Sequence, residues 1–71
     1  DFAVAYDNRG NAYRDLGEYP RAIQDYDKAT QLDPDFAYAY HNRGLSYADL
    51  GKMTEHDADN AKACSLDSKY C

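Results

Sequence analysis

The 71-residue chain contains no tryptophan, and only one valine, one isoleucine, two threonines and two prolines. Alternating β-branched runs are therefore missing, and β-strands with them. No apolar run approaches the roughly 20 residues that a membrane-spanning helix needs, so membrane insertion is not expected. Basic residues are scarce: eight Lys and Arg stand against 13 Asp and Glu, for a net charge of −5. That balance offers no basic footprint for nucleic acid and no attraction to an anionic membrane surface.

Patterned reactive chemistry is also missing. His41 and His56 lie 15 residues apart, and Cys64 and Cys71 show neither a C-x2-C spacing nor a His at i+4, so a metal site is not expected. A Cys nucleophile needs a base and an orienting group in one cleft. Cys64 falls far along the chain from His41. No Gly-rich phosphate loop is present, because all four glycines fall at helix-packing or helix-stop places. The expectation is a non-catalytic chain without a cofactor.

What is present is a repeat. Residues 3–36 and 37–70 align without a gap over 34 columns, and 15 of those columns are identical. The shared positions include Tyr6/Tyr40, Asn8/Asn42, Arg9/Arg43, Gly10/Gly44, Tyr13/Tyr47, Leu16/Leu50, Gly17/Gly51, Ala29/Ala63 and Leu32/Leu66. A fixed period of this length marks stacked copies of one small unit. Residues Asp1-Phe2-Ala3 mirror Asp35-Phe36-Ala37 one period later. Residues 1–2 therefore look like the tail of a preceding unit, and the chain like a piece of a longer array.

Each unit reads as two helices. Tyr6, Gly10, Tyr13 and Leu16/Gly17 recur at spacings of three and four, on one helical face. Gly17 and Gly51 are the expected stops. A second helix starts near Glu18–Pro20, since Pro is tolerated in a first turn, with a stripe of Tyr19, Ala22, Ile23, Tyr26, Ala29 and Leu32. Asp33-Pro34 ends it, because Pro disfavours helix at the residue before it. The pattern predicts four helices, at about 3–16, 19–32, 37–50 and 53–66. Their short connections force antiparallel neighbours. Gly10 and Gly44 sit mid-helix, where Gly costs about 1 kcal/mol against Ala. That cost is reasonable if the missing side chain lets another helix approach, with Ala22 and Ala29 expected on its other side.

These residues resemble the tetratricopeptide repeat, a 34-residue helix–turn–helix unit. The first unit carries Tyr6-x2-Arg9-Gly10-x2-Tyr13, then Ala22-x3-Tyr26, Ala29 and Pro34; the second carries Tyr40-x2-Arg43-Gly44-x2-Tyr47 and Ala63. Arg9 and Arg43 stand where the family has Leu. Two readings apply to them: a grip on an acidic ligand, or a stem packed on apolar surface with its guanidinium on a nearby carboxylate. The last helix departs further, with His56, Asp57 and Asn60 at the places of Ala22, Ile23 and Tyr26, and Ser68 in place of Pro34. Helix 53–66 should still form, because Ala58, Ala61 and Ala63 favour it, but should pack less tightly. It is expected to mark the C-terminal end of its array.

The resemblance implies an all-α solenoid of two units, 3–36 and 37–70, acting as a protein-interaction scaffold. Its first helices would line a concave face that clasps a peptide or protein. By spacing, the stripes there are Val4, Asp7, Asn11, Arg14 and Tyr38, His41, Leu45, Ala48, with Asn42 beside them. Asn11 and Asn42 fall at two Asn places of the family's carboxylate clamp. Asp7 stands where a clamp Lys belongs and would repel a carboxylate.

Cys64 and Cys71 leave two outcomes open. A continuous helix over 64–71 would hold their Cα atoms about 10 Å apart, beyond disulfide reach. A stop near Leu66 with a turn at Asp67-Ser68 would allow a bridge, as in the cysteine-rich bacterial relatives that Ala63-Cys64-Ser65-Leu66 resembles. Free thiols would suit a cytoplasmic protein, and a bridge a periplasmic or secreted one. Two units also leave the apolar face of helix 3–16 open, so the alternative role is a self-associating module forming a homo-oligomer.

Overall fold

A computed structural model describes all residues from Asp1 to Cys71. Four helices run antiparallel in sequence: α1 (Phe2–Asp15), α2 (Tyr19–Leu32), α3 (Ala37–Asp49) and α4 (Met53–Leu66). A short 3-10 turn at Ser68–Tyr70 closes the chain. Consecutive helices pack on one another, α1 on α2, α2 on α3 and α3 on α4. The result is the expected all-α stack of two hairpins.

Local chemistry sets each boundary. The Asp1 side chain accepts a hydrogen bond from Ala3 N and caps α1, so that helix starts one residue earlier than the periodicity suggests. Gly17 and Gly51 both adopt φ +77°, the left-handed conformation that ends a helix at little cost only for glycine. Around Gly17 the amides of Gly17 and Glu18 donate to the carbonyls of Arg14 and Tyr13, both at 2.9 Å. The same pair of bonds recurs one period later, from Gly51 to Ala48 and from Lys52 to Tyr47.

The second hairpin stop is less dependent on proline than the sequence suggests. Asp33 and Asp67 are both extended, and each side chain accepts from the amide two residues on, at 3.1 Å in both cases. The amides of Phe36 and Tyr70 then return to the carbonyls of Asp33 and Asp67, again at 3.1 Å. The repeated Asp turn carries the chain out of the helix, and Ser68 follows the path of Pro34 without distortion.

The core is built from small residues and one large ring. Ala3, Ala22, Tyr26, Ala29, Ala39 and Ala63 are buried. Gly10 makes room for Tyr26: a Cβ there would lie 2.7 Å from a ring carbon of Tyr26. The aromatic ring, rather than Ala22 or Ala29, therefore fills the notch. In the second unit Asn60 replaces that ring, and a Cβ on Gly44 would instead lie 3.2 Å from Asp59 Cβ and 3.4 Å from the His56 carbonyl. α4 accordingly buries only Asp59 and Ala63, against five residues on α2, yet it keeps a full 14-residue helix.

The two glycines should therefore respond differently to the same change. Gly10→Ala forces a fully buried ring to move and should destabilise by about 1–3 kcal/mol, with Gly10→Leu at least as costly. At Gly44 an added Cβ meets a milder overlap, 3.2 Å from Asp59 Cβ and 3.4 Å from the His56 carbonyl, and the gain of roughly 1 kcal/mol in helix propensity should leave Gly44→Ala near neutral. Urea unfolding of the three variants, read by helical circular dichroism, checks this order.

Candidate functional site

The repeated arginines hold the structure together. Arg9 on α1 donates from Nε and a terminal nitrogen to both carboxylate oxygens of Asp25 on α2, at 2.8 and 2.7 Å. Arg43 on α3 does the same to Asp59 on α4, at 2.8 and 2.6 Å. This two-pronged geometry matches the planar fork of guanidinium to carboxylate. Both carboxylates are almost fully shielded from water, so the ion pairs are hydrogen-bonded as buried charges require. The hydrogen bonds to Asp25 and Asp59 raise the pKa values of Arg9 and Arg43 respectively. Of the two sequence readings, the structural one describes these pairs. The signal was in the repeat itself, because Asp25 and Asp59 are an identical column 16 residues after each Arg.

Arg43 reaches one helix further. Its remaining terminal nitrogen donates to Asp27 on α2 at 2.9 Å and lies 3.5 Å from the Thr30 hydroxyl. One side chain therefore joins α2, α3 and α4. Its guanidinium lies over the Tyr40 ring, with the guanidinium carbon 5.3 Å from the ring centre.

Several residues assigned to the concave groove turn inward. Asp7 is only 1% exposed, and its carboxylate accepts from the Asn42 side-chain amide at 3.2 Å, joining α1 to α3. Asn42 is likewise buried. Asn11 accepts the hydroxyl of Tyr26. Asp7 and Asn42 thus spend their facing polar atoms on each other, and Asn11 its side-chain oxygen on Tyr26, so Asn11 and Asn42 do not form a free pair of amides for a carboxylate. Helical spacing alone could not show this, because it does not reveal how closely α1 and α3 approach. Beside them the Ser46 hydroxyl is buried without a hydrogen-bond partner.

The rest of the stripe stays accessible. Val4 and Tyr38 are 43% and 46% exposed, while Arg14, His41, Leu45 and Ala48 are half-buried. Arg14 donates to Asp49 at 3.0 Å and so ties the far ends of α1 and α3. His41 stacks on Tyr70, with ring centres 4.7 Å apart. Desolvation, and then the positive charge of Arg14, lowers the His41 pKa, which favours a neutral imidazole. Tyr70 is held near by a disulfide between Cys64 and Cys71, whose Cα atoms lie 4.6 Å apart. No group of three or more His, Cys, Asp or Glu side chains is arranged to hold a metal ion, and no helix is long and apolar enough to cross a membrane.

Sequence-family comparison agrees with this architecture. A family model described as TPR repeat matches residues 10–51, and one described as tetratricopeptide repeat matches residues 37–70. The chain belongs to the tetratricopeptide-repeat family, whose members are generally protein-interaction modules. No curated protein matches it significantly.

Two predictions follow from the buried polar groups and the bridge. Burial raises the Asp7 pKa, a shift that the Asn42 hydrogen bond only partly offsets. The folded chain therefore holds this proton more tightly than the unfolded chain. The contribution of Asp7 to stability is greatest below the unfolded value and is lost as pH rises through the folded one. Asp7→Asn keeps an acceptor for Asn42 and removes the charge, so it should raise the melting temperature at pH 7. That gain should vanish below about pH 4, where Asp7 is itself protonated; melting curves across pH check it. Reduction of Cys64–Cys71 should lower stability by about 2–3 kcal/mol for so short a loop. It should also release Tyr70 from His41, seen as a loss of the ring-current shift on the imidazole protons.

Proposed function

We propose that the chain is a non-catalytic scaffold that clasps an extended peptide or protein segment along the face shared by α1 and α3. The observation that carries this reading is exposed Val4 and Tyr38 beside a floor where the Asp7 carboxylate pairs with the Asn42 amide and the Asn11 oxygen with Tyr26. Such a floor has no free charge to satisfy, so recognition falls to apolar and aromatic packing, with Leu45, His41 and Arg14 at the sides. Concave surfaces with a few convergent polar groups suit ligands of this kind. The partner class is an apolar-rich peptide rather than an acidic C-terminus, because Asp7 takes up the Asn42 amide and the net charge of −5 disfavours an anionic ligand. Nucleic acid is disfavoured for the same reason. The Cys64–Cys71 bridge suits an oxidising compartment.

The alternative role, a self-associating module, rests on the open apolar end of α1 and needs that end to accept a second copy.

Selection of a random peptide library on the immobilised disulfide-bonded chain tests the groove. Enriched peptides should be apolar-rich, and their binding should weaken about tenfold or more on Tyr38→Ala and on Leu45→Asp, with Glu55→Gln on α4 as an unaffected control. Peptides that bind equally to all three variants would place recognition elsewhere.

A further inference from the structure

Four of the columns in which the two units differ meet at one place on the groove wall. Where the first unit has Asp7, Thr30, Phe36 and Ala37, the second has His41, Cys64, Tyr70 and Cys71. Asp7 is buried on Asn42. His41 is half-buried and carries the Tyr70 ring instead, stacked at 4.7 Å between centres. His41 is also the middle rung of the accessible stripe on α3, three residues after Tyr38 and four before Leu45. A peptide laid along that stripe meets Tyr70 before it meets the imidazole. The chain's own side chain stands where a partner's would stand, and it shows that the His41 face accepts an aromatic ring.

The bridge is what keeps Tyr70 there. The hydrogen bonds of the turn stay within residues 67–71. The Lys69 amide donates to the Asp67 side chain at 3.1 Å, the Tyr70 amide to the Asp67 carbonyl at 3.1 Å, and the Cys71 amide to the Ser68 carbonyl at 3.0 Å. The Asp67 amide, on the Ala63 carbonyl at 2.9 Å, ties only the start of the turn to α4. None of these bonds reaches α3. The Cys64–Cys71 bond closes the other side of the turn onto α4, so Tyr70, next to Cys71, cannot swing away. Neither cysteine is buried, and a dithiol can exchange with the bridge. Its first thiolate attacks one sulfur and displaces the other, and its second resolves the mixed disulfide. The bridge is reduced to two thiols, which take up the two protons of the dithiol, and the dithiol is oxidised to its own disulfide. Only the ring stack then holds Tyr70 to α3.

We propose that the His41 face is a subsite for an aromatic side chain of the bound peptide, that Tyr70 fills it from within the chain, and that the Cys64–Cys71 bridge locks this self-occupied state until a dithiol opens it. The subsite is part of the groove proposed above and rests on that reading.

A cysteine-free random peptide library, selected in parallel on the bridged chain, on the chain reduced with dithiothreitol and on bridged Tyr70→Ala, tests it. The last two should enrich peptides that contain Phe, Tyr or Trp, and should bind them about fivefold or more tighter than the bridged chain does. Tyr70→Ala should bind them equally with and without reductant, and adding His41→Ala to it should erase the gain. If circular dichroism shows that reduction unfolds the chain, the comparison of the two bridged proteins decides. Aromatic peptides that bind both bridged proteins equally, or a gain that survives the loss of His41, would overturn the subsite and leave the groove standing. A gain on Tyr70→Ala with no effect of reduction on the folded wild-type chain would overturn the lock. Peptides indifferent to Tyr38→Ala and Leu45→Asp would take down the groove and the subsite together.

Discussion

The guanidinium of Arg43 holds three helices at once, and the alignment of the second hairpin on the first depends on it. Two of its nitrogens close the α3–α4 hairpin through Asp59, and the third reaches back to Asp27 on α2. Lysine could not do this, because a point charge on a flexible stem has no fixed fork to divide between two carboxylates. The arrangement also answers the cost of burying charge. Asp59 lies in a shielded setting where an unpaired carboxylate would be strongly unfavourable, and the bidentate grip satisfies both of its oxygens. In a chain with so few large aliphatic side chains, such polar ties give the packing a definite register that Ala and Tyr surfaces alone specify poorly.

The same logic explains the inner groove. Asp7 and Asn42 stand at the small α1–α3 contact, beside the main junction of the two hairpins between α2 and α3. An apolar pair there would permit sliding. A hydrogen bond between a carboxylate and an amide has one good geometry, and it is supported at the far end by Arg14 on Asp49. The cost is a carboxyl group in a desolvated place, visible as its raised pKa. Specificity of alignment is thus obtained with polar groups whose individual contributions to stability are small or negative.

The fold was legible in the sequence wherever local chemistry decides it. The 34-residue period, the Gly17 and Gly51 stops and the Asp33 turn each act within a few residues, so helix boundaries followed to within a residue. Gly10 was recognisable as a notch, but not what fills it: Ala22, Ala29 and Tyr26 all lie on the facing stripe, and only the packing angle of α1 on α2 selects the ring. The groove residues were harder still. A 3.6-residue period places Asp7 and Asn11 on the same face as Val4, but burial on that face depends on the distance between α1 and α3, which no single helix encodes. Pairing Arg9 with Asp25 and Arg43 with Asp59 was within reach, since both partners repeat together, whereas Asp27 as a third partner has no repeated counterpart in Ala61.

That last asymmetry gives the stack a direction. A perfectly repeated unit would present complementary groups at its two ends and would polymerise, because an end that fits its neighbour also fits the opposite end of another copy. Here the donor is kept at one end, in Arg9, while the acceptor is lost at the other, where Ala61 and Cys64 replace Asp27 and Thr30. The turn after α4 differs as well: the disulfide pins Cys71 back on Cys64 and holds Tyr70 over His41. The polar last helix, with Asn60 in place of a core ring, therefore need not be a weakened copy of the first. Its outer face carries different groups from those of α2, beside a turn that the bridge holds against His41.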